Sequence, residues 1–256
     1  MAVHITNQRV GFGNVLIFLS DYLTKAGMDG LVNKNLLDFG RGRAFDFKVN
    51  LTDREDGDRL ETFIFCNPGL LRDHGSIMKQ TVFPTKELTD LFSSHAHVLD
   101  GVTLGVHIRC GSSVEDSKGL AAPNDGFVSN LTFEVIDEII KNNPGRVFLA
   151  SDSKRVKNLI KGKWGSKITT LDSDITLSCE PDVCGGIEQN SKSLMDVYLD
   201  WYMLSKCPSI VTTAGRLFLG APDGAGISTF GYTAAAYGTN NLKVVAVNGQ
   251  VFDFST

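Results

Sequence analysis

The stretch VTLGVHIR, residues Val102 to Arg109, decides the fold class of this chain. It is mostly apolar, rich in residues that favour β-structure, and has the length of one strand. Such runs are typical of a strand that is buried on both faces of a parallel sheet. The stretch therefore predicts an α/β fold built on a covered sheet.

Strands and helices alternate downstream of this stretch. The clearest predicted helix covers residues 131–142, where apolar residues fall on one face, and Pro144-Gly145 ends it. Further strands are predicted at 146–150, 167–171, 208–213 and 242–247, and further helices at 154–161, 191–206 and 229–237. This alternation predicts a doubly wound parallel sheet, in which ligands bind beyond the carboxyl ends of the strands.

The first part of the chain has a weaker pattern. Short strands are predicted at 4–8 and 62–66, helices at 15–26 and 86–95, and loops or a hairpin at 38–62, where charge and glycine are frequent. We place a boundary near Val98 to Val102. It divides the chain into an N-terminal half-domain, residues 1–100, and a C-terminal half-domain, residues 101–256.

Composition excludes several classes of protein. Apolar residues make up 42% and charged residues 21%, as in ordinary globular proteins, and the net charge of −4 argues against a nucleic-acid-binding protein. The first residues lack the pattern of a signal peptide, and no apolar run approaches the ~20 residues that span a bilayer. Five cysteines fit a reducing compartment. We therefore expect a cytoplasmic protein, or a soluble module of a larger one.

The tetrapeptide GFGN, Gly11 to Asn14, lies where the first predicted strand passes into the first helix. Glycines at such a point let backbone N–H groups approach a phosphate at the helix N-terminus. A dinucleotide-binding fingerprint would need another glycine where Leu16 stands, so a nicotinamide-dependent dehydrogenase is disfavoured. The alternative for GFGN is a simple tight turn.

Arg109 ends the predicted strand that contains His107, and Gly111 allows the chain to turn there. An arginine at the carboxyl end of a strand projects into the ligand crevice, and its planar fork can hold two phosphate oxygens. The alternative is a purely structural ion pair with Glu115 or Asp116.

Two further polar segments follow the predicted strands. Ser151-Asp152-Ser153 can accept hydrogen bonds from a ribose or from the N–H edge of a guanine, or it can cap the helix that follows. Residues 226–231 (GISTFG) open the helix at 229–237 and form a second candidate anion site. Ser228 can equally serve as a plain N-cap.

In this order, the motifs resemble the fucosyltransferase superfamily that includes the α-1,2-, α-1,6- and protein O-fucosyltransferases. The matching segments cover most of the chain: GFGN (11–14), HIRCG (107–111), LASDS (149–153), DVYLDWYMLSKCPSIVTT (196–213) and STF (228–230). The resemblance implies a GT-B-like fold, with two Rossmann-like half-domains and a cleft between them. It also implies inverting transfer without a metal, with GDP-fucose as donor and a glycan as acceptor.

The resemblance also implies roles for individual residues. Arg109 would hold the donor diphosphate and stabilise the departing charge, with His107 beside it, while Gly13 and Asn14 would contribute from across the cleft. Asp152 would lie near the nucleoside. The full set of candidate donor-binding residues is Gly11, Phe12, Gly13, Asn14, His107, Arg109, Ser151, Asp152, Asp196, Ser228, Thr229 and Phe230, and the candidate catalytic residues are Arg109, His107, Asn14 and Asp116.

The sequence departs from the family where the catalytic base is concerned. The family often has an acidic residue shortly after the arginine, as in HxRxGD, whereas Ser112 follows Gly111 here and the carboxylates come at Glu115 and Asp116. An inverting transferase needs a group that removes the acceptor proton. Asp116, Glu115 and His107 all remain candidates.

We expect no metal and no cofactor beyond the nucleotide sugar, because arginine and helix N-termini can replace a metal at a diphosphate. Asp172-Ser173-Asp174 is the competing DxD-type metal site. Two alternative functions stay open: transfer of another 6-deoxyhexose such as rhamnose, and a non-catalytic protein that binds nucleotides or carbohydrates.

Overall fold

The structure, a computed structural model, describes residues 2–4, 11–37, 41–54, 57–59, 66–110, 128–172, 191–215, 218–219, 226–238 and 241–255. The helices are α1 (Phe12–Ala26), α2 (Arg41–Ala44), α3 (Leu71–Thr81), α4 (Lys86–His95), α5 (Asn130–Asn142), α6 (Lys154–Trp164), α7 (Ser191–Ser205) and α8 (Thr229–Tyr237). The strands are β1 (Ala2–His4), β2 (Leu31–Asn33), β3 (Phe45–Phe47), β4 (Asn50–Thr52), β5 (Gly57–Arg59), β6 (Val82–Pro84), β7 (Val102–Ile108), β8 (Arg146–Ser151), β9 (Ile168–Thr169), β10 (Ile210–Ala214), β11 (Leu242–Ala246) and β12 (Val251–Asp253).

A six-stranded sheet forms the second part of the chain, in the order β12-β11-β10-β7-β8-β9. All neighbouring pairs are parallel except β11 with β12. The residues of β7 alternate between two layers: Val106 and Ile108 pack with apolar residues of α5 and α6, whereas Gly105 faces Leu204 and Cys207 at the end of α7 and just after it. Helices therefore cover both faces, and the predicted α/β fold with a parallel sheet is confirmed.

The sheet has one strand more than the sequence predicted. The chain turns after β11 at Gly249, whose φ of +81° favours glycine, and β12 returns antiparallel along the edge. The three-residue strand is too short for its side-chain alternation to be recognised in the sequence.

The first part of the chain contains a four-stranded sheet in the order β4-β2-β1-β5 and a separate antiparallel pair, β3 with β6. The expectation of only loops or a hairpin at 38–62 was wrong, since β4 and β5 both join a parallel sheet. Each of these strands has three residues, so no periodic pattern marks them. The predicted strand at 62–66 lies almost wholly outside the described residues.

The two parts of the chain share one apolar core where their helices meet. Phe12 of α1 and Phe45 of β3 stack at 4.9 Å between ring centroids, and both rings meet the edges of Tyr198 and Trp201 on α7 at 5.0–5.8 Å. This core brings the start of α1 close to the C-terminal sheet. The division at residue 100 and the cleft between half-domains stay predictions.

Candidate functional site

Polar groups from three neighbouring strands meet at their carboxyl ends, as the parallel topology predicts. His107 Nδ1 lies 3.1 Å from Thr212 Oγ1 of β10, and the Arg109 N–H donates to Thr213 Oγ1 at 3.0 Å. The Cys110 N–H donates to Asp152 Oδ1, just beyond β8, at 2.8 Å. The residues at the carboxyl ends of β7, β8 and β10 therefore form one connected site.

Among the described residues, Asp152 forms an ion pair with Arg109. Its Oδ2 lies 3.0 Å from Arg109 Nη1, and its side chain is 3% exposed against 24% for that of Arg109. The buried carboxylate thus anchors the guanidinium, which reaches the rim of the site. Glu115 and Asp116, the partners suggested by the sequence, lie outside the described residues.

The serines on either side of Asp152 stabilise the loop. Ser153 Oγ accepts the Val156 N–H and is the N-cap of α6, which is the capping role that the sequence offered for this segment. Ser151 Oγ donates to the Ile108 carbonyl at 2.8 Å and accepts the Ser153 N–H at 3.2 Å. A donor contact for Ser151 or Asp152 stays a prediction.

His107 is buried and electrically neutral at physiological pH. Burial, and then the positive charges of Arg109 and Lys157, lower the pKa of its imidazole from 6.5 to about 3. Its ring also packs against Phe230 of α8, with centroids 4.9 Å apart. A histidine with so low a pKa is a weak base near pH 7. The burial of His107 and the positive charges beside it therefore argue against His107 as the catalytic base.

The first turns of α1 and α8 touch each other. A methyl group placed on Gly13 would lie 2.6 Å from the carbonyl carbon and oxygen of Thr229 and 2.8 Å from the nitrogen of Phe230. A methyl group on Gly231 would lie 2.2 Å from Thr212 Oγ1. Glycine is thus needed at both positions. Gly13 lets α1 touch the STF segment, and Gly231 lets α8 approach Thr212 of β10 and His107 of β7.

This arrangement places two positive helix ends side by side. Each first turn leaves backbone N–H groups without intrahelical partners, and neither turn carries an acidic side chain. Within the described part of the chain, the side chains of Asn14 and Ser228 accept or donate no hydrogen bond. Two neighbouring helix N-termini favour the binding of an anion beside them.

The other two members of GFGN behave differently. Gly11 is exposed at the N-cap of α1, with open space where a side chain would begin. Phe12 is 8% exposed and belongs to the aromatic core described above. Phe12 therefore contributes to the packing of the core. Its contact with the donor stays a prediction.

A buried ion pair that the sequence did not reveal lies beneath the site. Lys157 Nζ of α6 is 3.0 Å from Asp200 Oδ2 of α7, and both side chains are at most 4% exposed. Burial raises the pKa of Asp200 to about 6, although Lys157 opposes this, and Asp200 Oδ1 has no hydrogen-bond partner among the residues that the structure describes. Asp196, the predicted residue, is half-buried one turn earlier. The sequence signal that could have revealed this pair is Asp200, a charged residue next to Trp201 in the apolar stripe of α7.

The structure describes only some of the remaining candidate residues. Asp116, Gly111 and Asp174 lie outside the described residues, and Asp172 is exposed after β9. Among the described ranges, no three His, Cys, Asp or Glu side chains are grouped so that they could hold a metal ion. None of the helices in these ranges is long and apolar enough to cross a membrane.

Solved structures with a similar fold include NodZ α-1,6-fucosyltransferase soaked with GDP-fucose, with a TM-score of 0.59, 14% identity, and 98% of each chain covered. The same enzyme co-crystallised with GDP gives a TM-score of 0.58 at 13% identity, covering 98% of this chain and 97% of that one. Fucosyltransferase NodZ from Bradyrhizobium gives 0.55 at 13% identity over 98% and 97%. The fold is fucosyltransferase-like.

This likeness covers nearly the whole chain and agrees with the resemblance seen in the motifs. At such low identity it establishes the fold and leaves the chemistry to the residues of the site. No protein-family model matches the sequence, and no curated protein does.

Proposed function

We propose that this protein is an inverting, metal-independent glycosyltransferase that moves fucose from GDP-fucose to a hydroxyl of a glycan. The observation that carries the proposal is that the N-termini of α1 and α8 touch each other, and that Thr213 joins the start of α8 to Arg109. The Thr213 carbonyl accepts the Ser228 N–H at 3.1 Å, and its Oγ1 accepts the Arg109 N–H at 3.0 Å. The similar NodZ structures, which were soaked with GDP-fucose or co-crystallised with GDP, support the choice of donor.

The donor diphosphate would bind at the first turns of α1 and α8. Their unpaired backbone N–H groups, the Ser228 hydroxyl and the Asn14 amide are donors suited to phosphate oxygens. Thr229 and Phe230 belong to the same turn and would contribute their backbone N–H groups. Asp196, Asp152 and Ser151 remain candidates for contacts with the rest of the donor.

Arg109 would supply the catalytic effect at the leaving group. As the bond between the anomeric carbon and the phosphate oxygen breaks, negative charge grows on the departing GDP. A guanidinium already oriented by Asp152 can stabilise that charge without reorganising. Two helix dipoles and one arginine offer the positive charge that a metal ion supplies in DxD enzymes, which supports metal-independent transfer.

The acceptor oxygen would attack the anomeric carbon from the face opposite the diphosphate, and its proton would pass to a base. The low pKa of His107 leaves Asp116 and Glu115 as the better candidates for that base. A donor carrying rhamnose or another 6-deoxyhexose would use the same diphosphate site. A non-catalytic binding protein would keep the site and lack the base.

A thermal-shift screen of GDP, UDP, ADP and GDP-fucose tests the proposal. A ligand at 100 times its dissociation constant stabilises the folded state by about 2.7 kcal/mol. We expect GDP and GDP-fucose to give the largest shifts, and GDP-fucose to be hydrolysed or its fucose transferred. Binding without turnover would favour the non-catalytic protein, and a preference for GDP-rhamnose the alternative sugar. If no nucleoside diphosphate shifts the melting temperature, the proposal is wrong.

A further inference from the structure

A buried polar chain lies behind the first turn of α8, on the side away from the sheet. His74 of α3 is its centre: Nε2 lies 2.8 Å from Asp21 Oδ1 of α1, and Nδ1 lies 2.9 Å from the Tyr232 hydroxyl of α8. The Tyr232 hydroxyl also lies 2.7 Å from the Asn67 carbonyl oxygen. His74 is 1% exposed and Tyr232 is fully buried, so these groups depend on each other for hydrogen bonds.

The hydrogen bonds of His74 and Tyr232 determine where their protons must lie. The Asn67 carbonyl can only accept, so the single proton of the Tyr232 hydroxyl is donated to it. The Tyr232 oxygen must then accept a hydrogen bond from His74, which places a proton on Nδ1. Asp21 and Nε2 need a further shared proton for their 2.8 Å contact. The chain therefore holds one proton more than a neutral histidine beside an ionised aspartate.

Tyr232 connects this polar chain to the start of α8. Tyr232 is one turn beyond Ser228, and its N–H donates to the Ser228 carbonyl at 3.0 Å. On the same side, the Cys66 thiol lies 3.7 Å from the Ile227 carbonyl oxygen. The segment 66–74 thus holds the start of α8 from behind, while Gly13 and Gly231 set its position in front.

We propose that His74 is a positioning residue, which in its proton-rich state with Asp21 fixes Tyr232 and thereby holds the first turn of α8 ready for the donor diphosphate. This inference rests on the proposed function, since it names a residue that acts on the same site. When one proton is lost at high pH, the ionised Asp21 carboxylate holds the remaining ring proton at Nε2, so Nδ1 becomes an acceptor. The single proton of the Tyr232 hydroxyl can then be donated to His74 or to the Asn67 carbonyl, but not to both. Donor affinity should then fall.

The other titratable groups around His74 do not supply this proton. Burial raises the pKa of the Cys66 thiol and of the Tyr232 hydroxyl well above their usual ranges, with nearby Asp21 adding to both shifts and Asp73 to that of Tyr232. Both groups therefore stay protonated as the pH rises past neutrality.

The test measures the dissociation constant of GDP from about pH 6 to about pH 9 in the wild type, His74→Gln and Tyr232→Phe. Relative to the wild type, both variants should bind GDP about fivefold more weakly at the low end and lose most of that difference at the high end. Tyr237→Phe is the matched control. It removes a hydroxyl from the same helix that also donates to a carbonyl, that of Val82, but it is remote from His74. Its pH profile should follow that of the wild type.

Nitrogen-15 NMR of the His74 ring gives a readout that does not involve GDP. We expect Nδ1 to be protonated in the folded protein near neutral pH. An unprotonated Nδ1, or pH profiles of His74→Gln and the wild type that run parallel, would overturn the inference while leaving GDP binding itself in place. Absence of GDP binding at every pH would instead overturn the proposed function, and the NMR result would still show whether the proton chain exists.

Discussion

At the scale of single residues, Arg109 has two tasks that must be separated. Its guanidinium pairs with a carboxylate whose side chain is 3% exposed, so Arg109→Ala removes a cation from beside the buried Asp152. Breaking a pair in this way costs stability whether or not a ligand binds. Arg109→Lys keeps the cation next to Asp152 but loses the planar fork that can hold two phosphate oxygens.

His107 and Asp200 shift the pH dependence of stability in opposite directions. The pKa of His107 falls from 6.5 to about 3 on folding, so its contribution to stability is lost as the pH drops through that window. The pKa of Asp200 rises from 3.8 to about 6, so its contribution is lost as the pH rises through that window. Between about pH 4 and about pH 6 the two effects largely cancel.

A variant that lacks one of the two groups should therefore show the pH dependence of stability that the other group causes. We expect Asp200→Asn to lose about 3 kcal/mol of unfolding free energy relative to the wild type as the pH is lowered from about 7 to about 4. His107→Asn should change in the opposite direction by a similar amount. Urea unfolding at several pH values measures both. A constant difference between Asp200→Asn and the wild type would show that Asp200 is already ionised throughout.

At the scale of elements, the contact between α1 and α8 depends on one missing side chain. Gly13→Ala would place a methyl group 2.6 Å from the Thr229 backbone, so the two helices must separate. Overpacking of this kind costs about 1–3 kcal/mol. Gly11→Ala is the matched control two residues earlier, where the space is open, and should cost no more than about 0.5 kcal/mol.

Urea unfolding of the two glycine variants checks this expectation, with GDP affinity as a second readout. Gly13→Ala should lower both stability and affinity, because the donor N–H groups of the two turns no longer share one site. Equal unfolding free energies for the two variants would mean that the helices can separate at no cost. In that case the close contact at Gly13 does not shape the site.

The elements also show why sequence patterns succeed or fail. α5 was predictable because its apolar residues recur at helical spacing, and β7 was predictable because most of its residues are apolar. α3 was missed because two of its buried positions are His74 and Gly75, which do not look apolar in sequence. Three-residue strands such as β4 carry too few side chains for any pattern.

At the scale of the whole molecule, rules of topology predicted more of the site than local motifs did. Parallel strands bring their carboxyl ends together, so His107, Arg109 and Asp152 were expected to be neighbours, and they are. The family resemblance implied only that GFGN and STF both lie near the donor, and their direct contact was not predicted. The Lys157–Asp200 pair was not expected, because it joins two helices whose packing no short segment encodes.

Calorimetric titration of the wild type and of Arg109→Lys with GDP, in the presence of EDTA, shows whether Arg109 binds the diphosphate without a metal. We expect the wild type to bind GDP without a divalent metal. We expect Arg109→Lys to bind about tenfold more weakly, because one charge-assisted hydrogen bond is lost, while its unfolding free energy stays close to that of the wild type. Binding that disappears with the chelator would assign the diphosphate to a metal at Asp172 and Asp174 instead. Equal affinities of the two proteins would show that Arg109 serves only its ion pair with Asp152, which would contradict the account.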